Sequence, residues 1–387
     1  MRRLAPRLLR DLARDAAARR VAGNTGWLLA AEIVATLVSL VQFPLVARLL
    51  GVERFGVLHL VLSAVGLIGA LFTVRVWETI IRYLSKFMAE DDPERALAIM
   101  KVTFGLDLVQ GVLVFAFLAV IAPPLAALVI HTSDATDLIR LEALRHLFLA
   151  TSAASTAVLR VFDRFKWLSA FNAASSIVSF VFVALVLVTG LGVAGYIVAF
   201  VLVSAVQTVV LYLAGQRLLR IRFPGRWWRA DFGVLRPYRR EIGVMLFSMN
   251  VDAIRKIATG NLDTVVLGLF AGPYQAGLYR LAKQLAGYVN RLTNPLYTSL
   301  YPEIARLYNE HGIQRVRTFA NRLSRALGLG VVVSIAGVLL LARPLVPLIF
   351  GRAYEPALPL IYIVMFMNIW LVFIWAIAAG RVLETSL

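Results

Sequence analysis

Long apolar segments recur along the whole chain and constrain its fold more than any other feature. Each run is close to the 17–25 residues that a helix needs to cross a bilayer, and about ten such runs lie between Gly26 and Ala379. Hydrophobic residues make up 60% of the 387 residues and charged residues only 16%, against about 25% charged in soluble domains. The sequence therefore predicts an all-α, polytopic membrane protein with about ten transmembrane helices.

The predicted spans are separated by short turns, with one longer basic loop after the sixth span. Prolines are expected to end the third span at Pro123–Pro124 and to follow the ninth at Pro344 and Pro347. The spans are Gly26–Ala47, Val57–Thr73, Val102–Ala122, Leu147–Val161, Leu168–Val188, Val193–Leu213, a hairpin of two spans in Met249–Arg291, Leu327–Leu341 and Pro359–Ala379.

The basic residues lie mostly on one side of this topology. With the N-terminus inside, the inner segments hold 29 Lys and Arg and the outer loops hold six, so the positive-inside rule predicts a cytoplasmic N-terminus. This placement accounts for the net charge of +18 and argues against nucleic acid as a partner. The chain has no cysteine, and its four histidines show no ligand spacing. We therefore expect no metal and no cofactor.

Two turn segments share a pattern of glycines. Leu50–Leu58 reads LGVERFGVL and Ala271–Tyr279 reads AGPYQAGLY, and the first glycines are separated by 272 − 51 = 221 residues. The same offset carries Arg160–Asp163 (RVFD) onto Arg381–Glu384 (RVLE). Six spans, an even number, separate the two units, so we predict parallel repeats related by an axis along the membrane normal.

The repeat predicts a division of the chain into four parts. These are a basic amphipathic segment (1–25), a six-helix first lobe (26–214), a basic cytoplasmic linker (215–241) and a second lobe (242–387). Since 387 − 221 = 166 is the start of span five, the second lobe is expected to be truncated relative to a protein of at least twelve spans.

The hairpin Met249–Arg291 carries charges at depths where lipid makes them costly, about 3 kcal/mol or more per residue on insertion scales. Two interpretations remain open. The charges pair with one another, as Asp252 and Lys256 could one turn apart, or they line a wet cationic cavity. The cations are Arg255, Lys256, Arg280, Lys283 and Arg291, and the acids are Asp252 and Asp263.

Polar residues in the first lobe suggest further roles. Glu32 in span one is either a structural acid or a coupling site for a proton or cation. Arg75, Glu78 and Arg82 follow span two at helical spacing, as an interfacial ion network or as an entry gate for an anionic substrate. Asp107 and Gln110 in span three are expected to make helix-packing contacts.

A family resemblance rests on the glycine turns. Arg48–Gly56 (RLLGVERFG) resembles the "aRlLGpeeyG" opening of the Wzx-like oligosaccharide flippases, a branch of the multidrug/oligosaccharidyl-lipid/polysaccharide exporter superfamily. Asp263–Gly272 (DTVVLGLFAG), followed by Gly277–Tyr279, is similar to the opening of that family's second lobe. Arg75–Tyr83 is more charged than the usual end of span two in this family.

The resemblance implies two six-helix lobes around a central cavity, located in the bacterial inner membrane. Such a protein moves a polyprenyl-diphosphate-linked oligosaccharide between leaflets for polysaccharide or O-antigen biosynthesis. The five hairpin cations would bind the diphosphate, and Glu32, Asp252, Asp263, Arg75, Glu78 and Arg82 are candidates for coupling or gating. Expected partners are the lipid-linked oligosaccharide, membrane lipids, and glycosyltransferases or a glycan polymerase of the same pathway.

Three alternatives compete with this prediction. A multidrug exporter of the same superfamily would favour an anionic, aromatic pocket. A membrane glycosyltransferase or polymerase would need acids or histidines on large loops, and Pro123–His146 is the one outer segment with both. A purely structural scaffold leaves the charged hairpin unexplained. We therefore predict a transporter without catalytic residues.

Overall fold

The computed structural model describes residues 16–72, 76–223, 225–311 and 335–367, and it describes side chains in these ranges outside 16–25, 249–259 and 289–311. Within these ranges the ordered elements are helices. They are α1 (Ala16–Phe72), α2 (Val76–Ala89), α3 (Pro93–Leu125), α4 (Ala135–Leu149), α5 (Ser152–Val161), α6 (Phe165–Val188), α7 (Gly192–Arg222), α8 (Arg239–His311), α9 (Ile335–Ile349) and α10 (358–367).

The chain divides into two compact units. One comprises Met1–Leu50 and Leu60–Gly272, and the other comprises Gly51–His59 and Pro273–Leu387. In the described part of the chain, four helical stretches are long and apolar enough to cross a membrane. They are Gly26–Phe72, Pro93–Ile130, Phe165–Val188 and Gly192–Arg222. The polytopic all-α prediction is confirmed.

The prolines do not end the helices, contrary to expectation. Helix α3 runs through Pro123 and Pro124 and passes into a π-helical turn, Ala126–Ile130. The Ala126 N–H bonds to the carbonyls of Ala122 and Pro123. Where water is scarce, a shifted helical hydrogen bond satisfies more backbone groups than an open loop would. Pro344 and Pro347 likewise lie inside α9.

The fourth predicted span was placed too late. Residues 135–149, expected to belong to a charged outer loop, form helix α4 instead. Glu142 is fully buried and pairs with Arg145 at 2.6 Å, three residues along the same helix. Arg145 in turn lies 5.1 Å above the ring of Phe200. The charged residues lower the local hydropathy, so the sequence predicts this segment as a loop. Because Glu142 and Arg145 pair with each other, they can nevertheless be buried in the helical bundle.

Helix α2 packs the basic linker onto the first unit. Its buried residues recur every three or four positions, the pattern of an amphipathic helix, and Tyr83 and Phe87 contact Tyr238 of the linker. Arg82 pairs with Glu241 at 2.6 Å. Burial, followed by the Glu241 carboxylate, raises the pKa of Tyr83 to about 12. The predicted loop Gln216–Glu241 is thus shorter, because α7 continues to Arg222.

Candidate functional site: a polar cavity in the first unit

A break in the helical path creates the site. Helix α4 ends at Leu149, Thr151 has a φ of 100°, and α5 begins one residue later without a side-chain cap of its own. Free N–H groups at a helix start need acceptors, most of all away from water. The carboxylate of Asp107, on α3, accepts a hydrogen bond from the Ala154 N–H at 3.0 Å. Asp107 therefore caps a helix to which it does not belong.

A cavity of about 470 Å³ lies beside this break. Helices α2, α3, α4 and α5 each contribute to its walls, which combine acidic, basic, amide, hydroxyl and aromatic groups. The polar and aromatic residues in its lining are Trp77, Asp107, Gln110, His146, Ser152, Thr156 and Arg160.

Arg160 and Trp77 form one wall of the cavity. The guanidinium carbon of Arg160 lies 5.1 Å from the centroid of the Trp77 ring, within cation–π distance. Arg160 Nε is buried and has no hydrogen-bond acceptor among the described residues. The contact with Trp77 restricts the planar group, and a guanidinium in a cavity wall can bind an anionic ligand through its fork of donors.

His146 also lines the cavity. Gly69 of α1 approaches the ring so closely that a Cβ there would lie 2.7 Å from His146 Cε1. Within the described ranges, the buried His146 Nε2 has no hydrogen-bond partner. The cavity thus presents an imidazole and a guanidinium, with Gln110 and Ser152 also in its lining. Such a set can bind hydroxyl-rich or anionic groups.

The structure describes two of the five predicted substrate-binding cations. Arg280 and Lys283 are both half-buried on α8, and Arg280 Nη2 donates to Gln284 Oε1 at 3.4 Å. Arg280 lies close enough for its charge to act on His59. The side chains of Arg255, Lys256 and Arg291 lie outside the described residues, and their role stays a prediction.

The coupling candidates are distributed over several helices. Glu32 is exposed on α1, and the Asp263 carboxylate accepts a hydrogen bond from the Thr264 N–H at 2.7 Å. Glu78 is half-buried on α2, four residues before Arg82, which joins α2 to α8 through Glu241. Arg75 and the side chain of Asp252 lie outside the described residues.

The two predicted glycine turns are kinks within long helices. Gly51 and Gly272 have nearly the same backbone angles, φ 74° and ψ 168° against φ 75° and ψ −178°. Glycine is nearly obligatory in this region of φ/ψ space. A Cβ at Gly56 would collide with the Pro273 carbonyl oxygen, and a Cβ at Gly277 with that of Val52. The contact is reciprocal under the 221-residue offset.

Sequence reasoning missed much of the cavity. It identified Asp107 and Gln110 as packing residues, and the Asp107 contact to Ala154 bears out that role. It assigned His146 to a loop and gave Arg160 no role. Their shared signal is weak: both are polar residues at the edges of a predicted span. Only the path of α4 and α5 places them beside Trp77.

These features define a class: an all-α, multi-pass membrane protein with a polar cavity inside its helical bundle. Solved structures share the fold. An inward-facing multidrug resistance MATE family transporter of the MOP superfamily has a TM-score of 0.61 at 14% identity, covering 87% of this chain and 78% of that one. A MATE protein in a bent conformation has a TM-score of 0.53 at 12% identity, covering 97% and 98%.

Sequence comparison identifies the family. The family model described as "Polysaccharide biosynthesis protein" matches residues 21–308, which is more than half of the chain. The chain therefore belongs to the polysaccharide biosynthesis protein family, and the flippase-family resemblance is confirmed. It is 25% identical over 353 residues to the inner membrane protein YghQ of Escherichia coli (strain K12), covering 90% of this chain and 97% of that protein. This chain is therefore a multi-pass inner membrane protein.

Proposed function

We propose that this protein moves a polyprenyl-diphosphate-linked oligosaccharide across the inner membrane by alternating access. The observation that carries the proposal is the polar cavity among helices α2, α3, α4 and α5 in a member of a polysaccharide biosynthesis family. A diphosphate and a glycan cannot cross hydrocarbon without polar partners, whereas the polyprenyl chain can remain in the lipid.

The residues divide this task by chemistry. The hairpin cations, which include Arg280 and Lys283, hold the diphosphate. Guanidinium and ammonium groups bind phosphate oxygens through charge-assisted hydrogen bonds. The cavity lining at Gln110, His146 and Arg160 offers donors and acceptors suited to sugar hydroxyls. Several moderately placed cations attract the substrate without trapping it, as a transport cycle requires.

Two features support an alternating mechanism. The repeated kinks at Gly51 and Gly272 give the two hairpins the same backbone geometry, as parallel repeats that rock about a common site would have. Glu32 and Asp263 are the acids through which a proton or cation gradient would couple to this motion. The glycine turns serve as pivots, and the acids bind the coupling proton or cation.

An export assay tests the proposal. A deletion strain is complemented with the Arg280/Lys283/Arg291 triple-alanine variant, and surface glycan is measured at matched membrane abundance. We expect export to fall at least tenfold, and wild-type export would refute the role of these cations. Single Arg→Lys variants show whether charge alone suffices or a bidentate guanidinium is needed.

A multidrug exporter is the second candidate, because the solved structures of the same fold include multidrug transporters and Asp107 could attract a cationic drug. A membrane-embedded glycan polymerase or transferase ranks below it, since Glu142 and His146 lie in a helix and not on a loop. Drug efflux from the complemented strain, with unchanged surface glycan on deletion, would favour the exporter.

The cysteine-free sequence permits a direct test of orientation. Single cysteines at Arg229 and Arg352 lie on opposite sides in the proposed topology. With the N-terminus and linker in the cytoplasm, a membrane-impermeant maleimide labels the cysteine at 352 in intact cells and the one at 229 only after lysis. The reverse pattern would overturn the proposed direction of transport.

A further inference from the structure

An apolar groove lies on the first unit, separate from the polar cavity. Helices α3, α4 and α7 form its walls, the linker covers one end, and its volume is about 530 Å³. Large side chains in its walls are exposed within membrane-spanning stretches, with Leu108 at 54% and Val209 at 55%. These surfaces face acyl chains in a bilayer.

One end of the groove is cationic and aromatic. Lys101 Nζ donates to the Ala230 carbonyl at 2.9 Å and lies 4.2 Å above the Phe232 ring. Since an ammonium group has three protons, two remain for a ligand. The Arg226 guanidinium lies 5.4 Å from the Trp228 ring. Charge and tryptophan therefore meet where the groove reaches the linker.

Specific contacts fix the linker at its end of the groove. Trp227 stacks on Phe104 at 4.8 Å, and its indole N–H donates to Gln216 Oε1 at 2.9 Å. The groove continues past Gly105, where an added Cβ would meet nothing within 4 Å. The seven helical steps from Lys101 to Leu108 rise about 10 Å along α3, so the groove is as long as part of one acyl chain.

We propose that this groove binds one anionic phospholipid. Its phosphate lies at Lys101 and Arg226, and one acyl chain runs over Gly105 between Leu108 and Val209. The charge distribution matches this ligand: cations at one end, an apolar floor beyond, and tryptophans at headgroup level. The linker, which carries eight basic residues in Gln216–Glu241, belongs to the side where anionic headgroups are enriched.

The bound lipid has a structural consequence. Its headgroup touches the linker through Arg226, and its chain touches α3 and α7, so it joins segments far apart in sequence. The linker end of the groove lies beside the stack of Trp227 on Phe104. Lipid binding therefore stabilises the docked linker, and removing the lipid lowers the melting temperature of the whole protein.

Purified full-length protein in mild detergent tests the proposal. Thermal unfolding and native mass spectrometry are recorded with added phosphatidylglycerol and, separately, with phosphatidylcholine. We expect phosphatidylglycerol to raise the melting temperature and to remain bound, and phosphatidylcholine to do neither. Lys101→Gln should weaken phosphatidylglycerol binding about fivefold, the effect of one interfacial cation. Lys166→Gln, at an ammonium that lies over Trp27 outside the groove, is the matched control.

A second variant fills the groove without changing charge. Gly105→Leu places its side chain in the open space, and Gly243→Leu does the same at an open helical position elsewhere. We expect only Gly105→Leu to abolish the lipid-bound species. Equal stabilisation by both lipids, unchanged binding in Lys101→Gln and Gly105→Leu, or a polyprenyl lipid as the retained species would each overturn the proposal.

Discussion

The two glycine hinges have the same backbone and different chemistry. Gly51 and Gly272 have φ values of 74° and 75° and ψ values of 168° and −178°, and the glycines five residues later contact each other's turns. The helix after Gly56 is apolar, with Leu62 and Ser63 at two of its positions. The equivalent positions after Gly277, at 62 + 221 = 283 and 63 + 221 = 284, are Lys283 and Gln284.

The difference separates what the predicted repeat must keep at its kinks from what it can change beyond them. The kinks at Gly51 and Gly272 need glycine because of their backbone angles. Gly56 and Gly277 need glycine because their close contacts leave no room for a Cβ. The helix beyond the kink needs only helical residues, so its surface can be apolar in one repeat and cationic in the other. Arg280, whose equivalent at 280 − 221 = 59 is His59, shows the same asymmetry.

The contact between the two turns should show the largest effect. Gly56→Ala and Gly277→Ala each drive a Cβ into a backbone carbonyl that cannot rotate away, and we expect each to cost about 3 kcal/mol or more. Folded yield and melting temperature in detergent provide the measurement. Gly243→Ala, at an open helical position, should leave both unchanged. A large effect of one turn variant without the other would contradict the reciprocal contact.

The kinks themselves should show a smaller and equal effect. Gly51→Ala meets nothing within 4 Å, and Gly272→Ala has only His131 Nδ1 at 3.7 Å, so the cost comes from backbone strain alone. We expect about 1–3 kcal/mol at each position, measured as matching losses in melting temperature. Unequal losses in melting temperature would show that backbone strain at the two kinks affects stability differently.

The helices after the kinks should differ in function. Lys283→Ala should lower surface glycan export about five- to tenfold, the latter being about 1.4 kcal/mol, because it removes a proposed phosphate contact. Leu62→Ala, at the equivalent position of the first repeat, should lower export less than twofold at equal abundance. Similar export by both variants would assign Lys283 a structural role.

An exchange of the two residues should give a smaller change than Lys283→Ala. The double variant Leu62→Lys/Lys283→Leu keeps the total charge and moves it to the other repeat. If the cations act through a shared field, export should return to within two- to threefold of wild type. Export no higher than in Lys283→Leu alone would show that the phosphate contact depends on the second repeat.

The sequence by itself determined the elements that local pattern controls. The lengths of the apolar runs predicted membrane-spanning helices, and the 221-residue offset located both kinks. These predictions succeed because hydrophobic length, glycine conformation and helical periodicity are properties of neighbouring residues. The same local rules wrongly predicted that the helix ends at Pro123 and Pro124. Proline removes one backbone hydrogen bond, but a membrane environment favours a continued helix over an open loop.

Tertiary structure decided the break at Thr151, the cavity and the contact between turns. The start of α5 is stable because Asp107, 47 residues away, supplies the acceptor that the local sequence lacks. Arg160 becomes part of a site only because Trp77 lies beneath it. In both of these cases a polar group finds its partner on another helix. Such pairings depend on how helices pack, because a buried donor requires an acceptor in space and not in sequence.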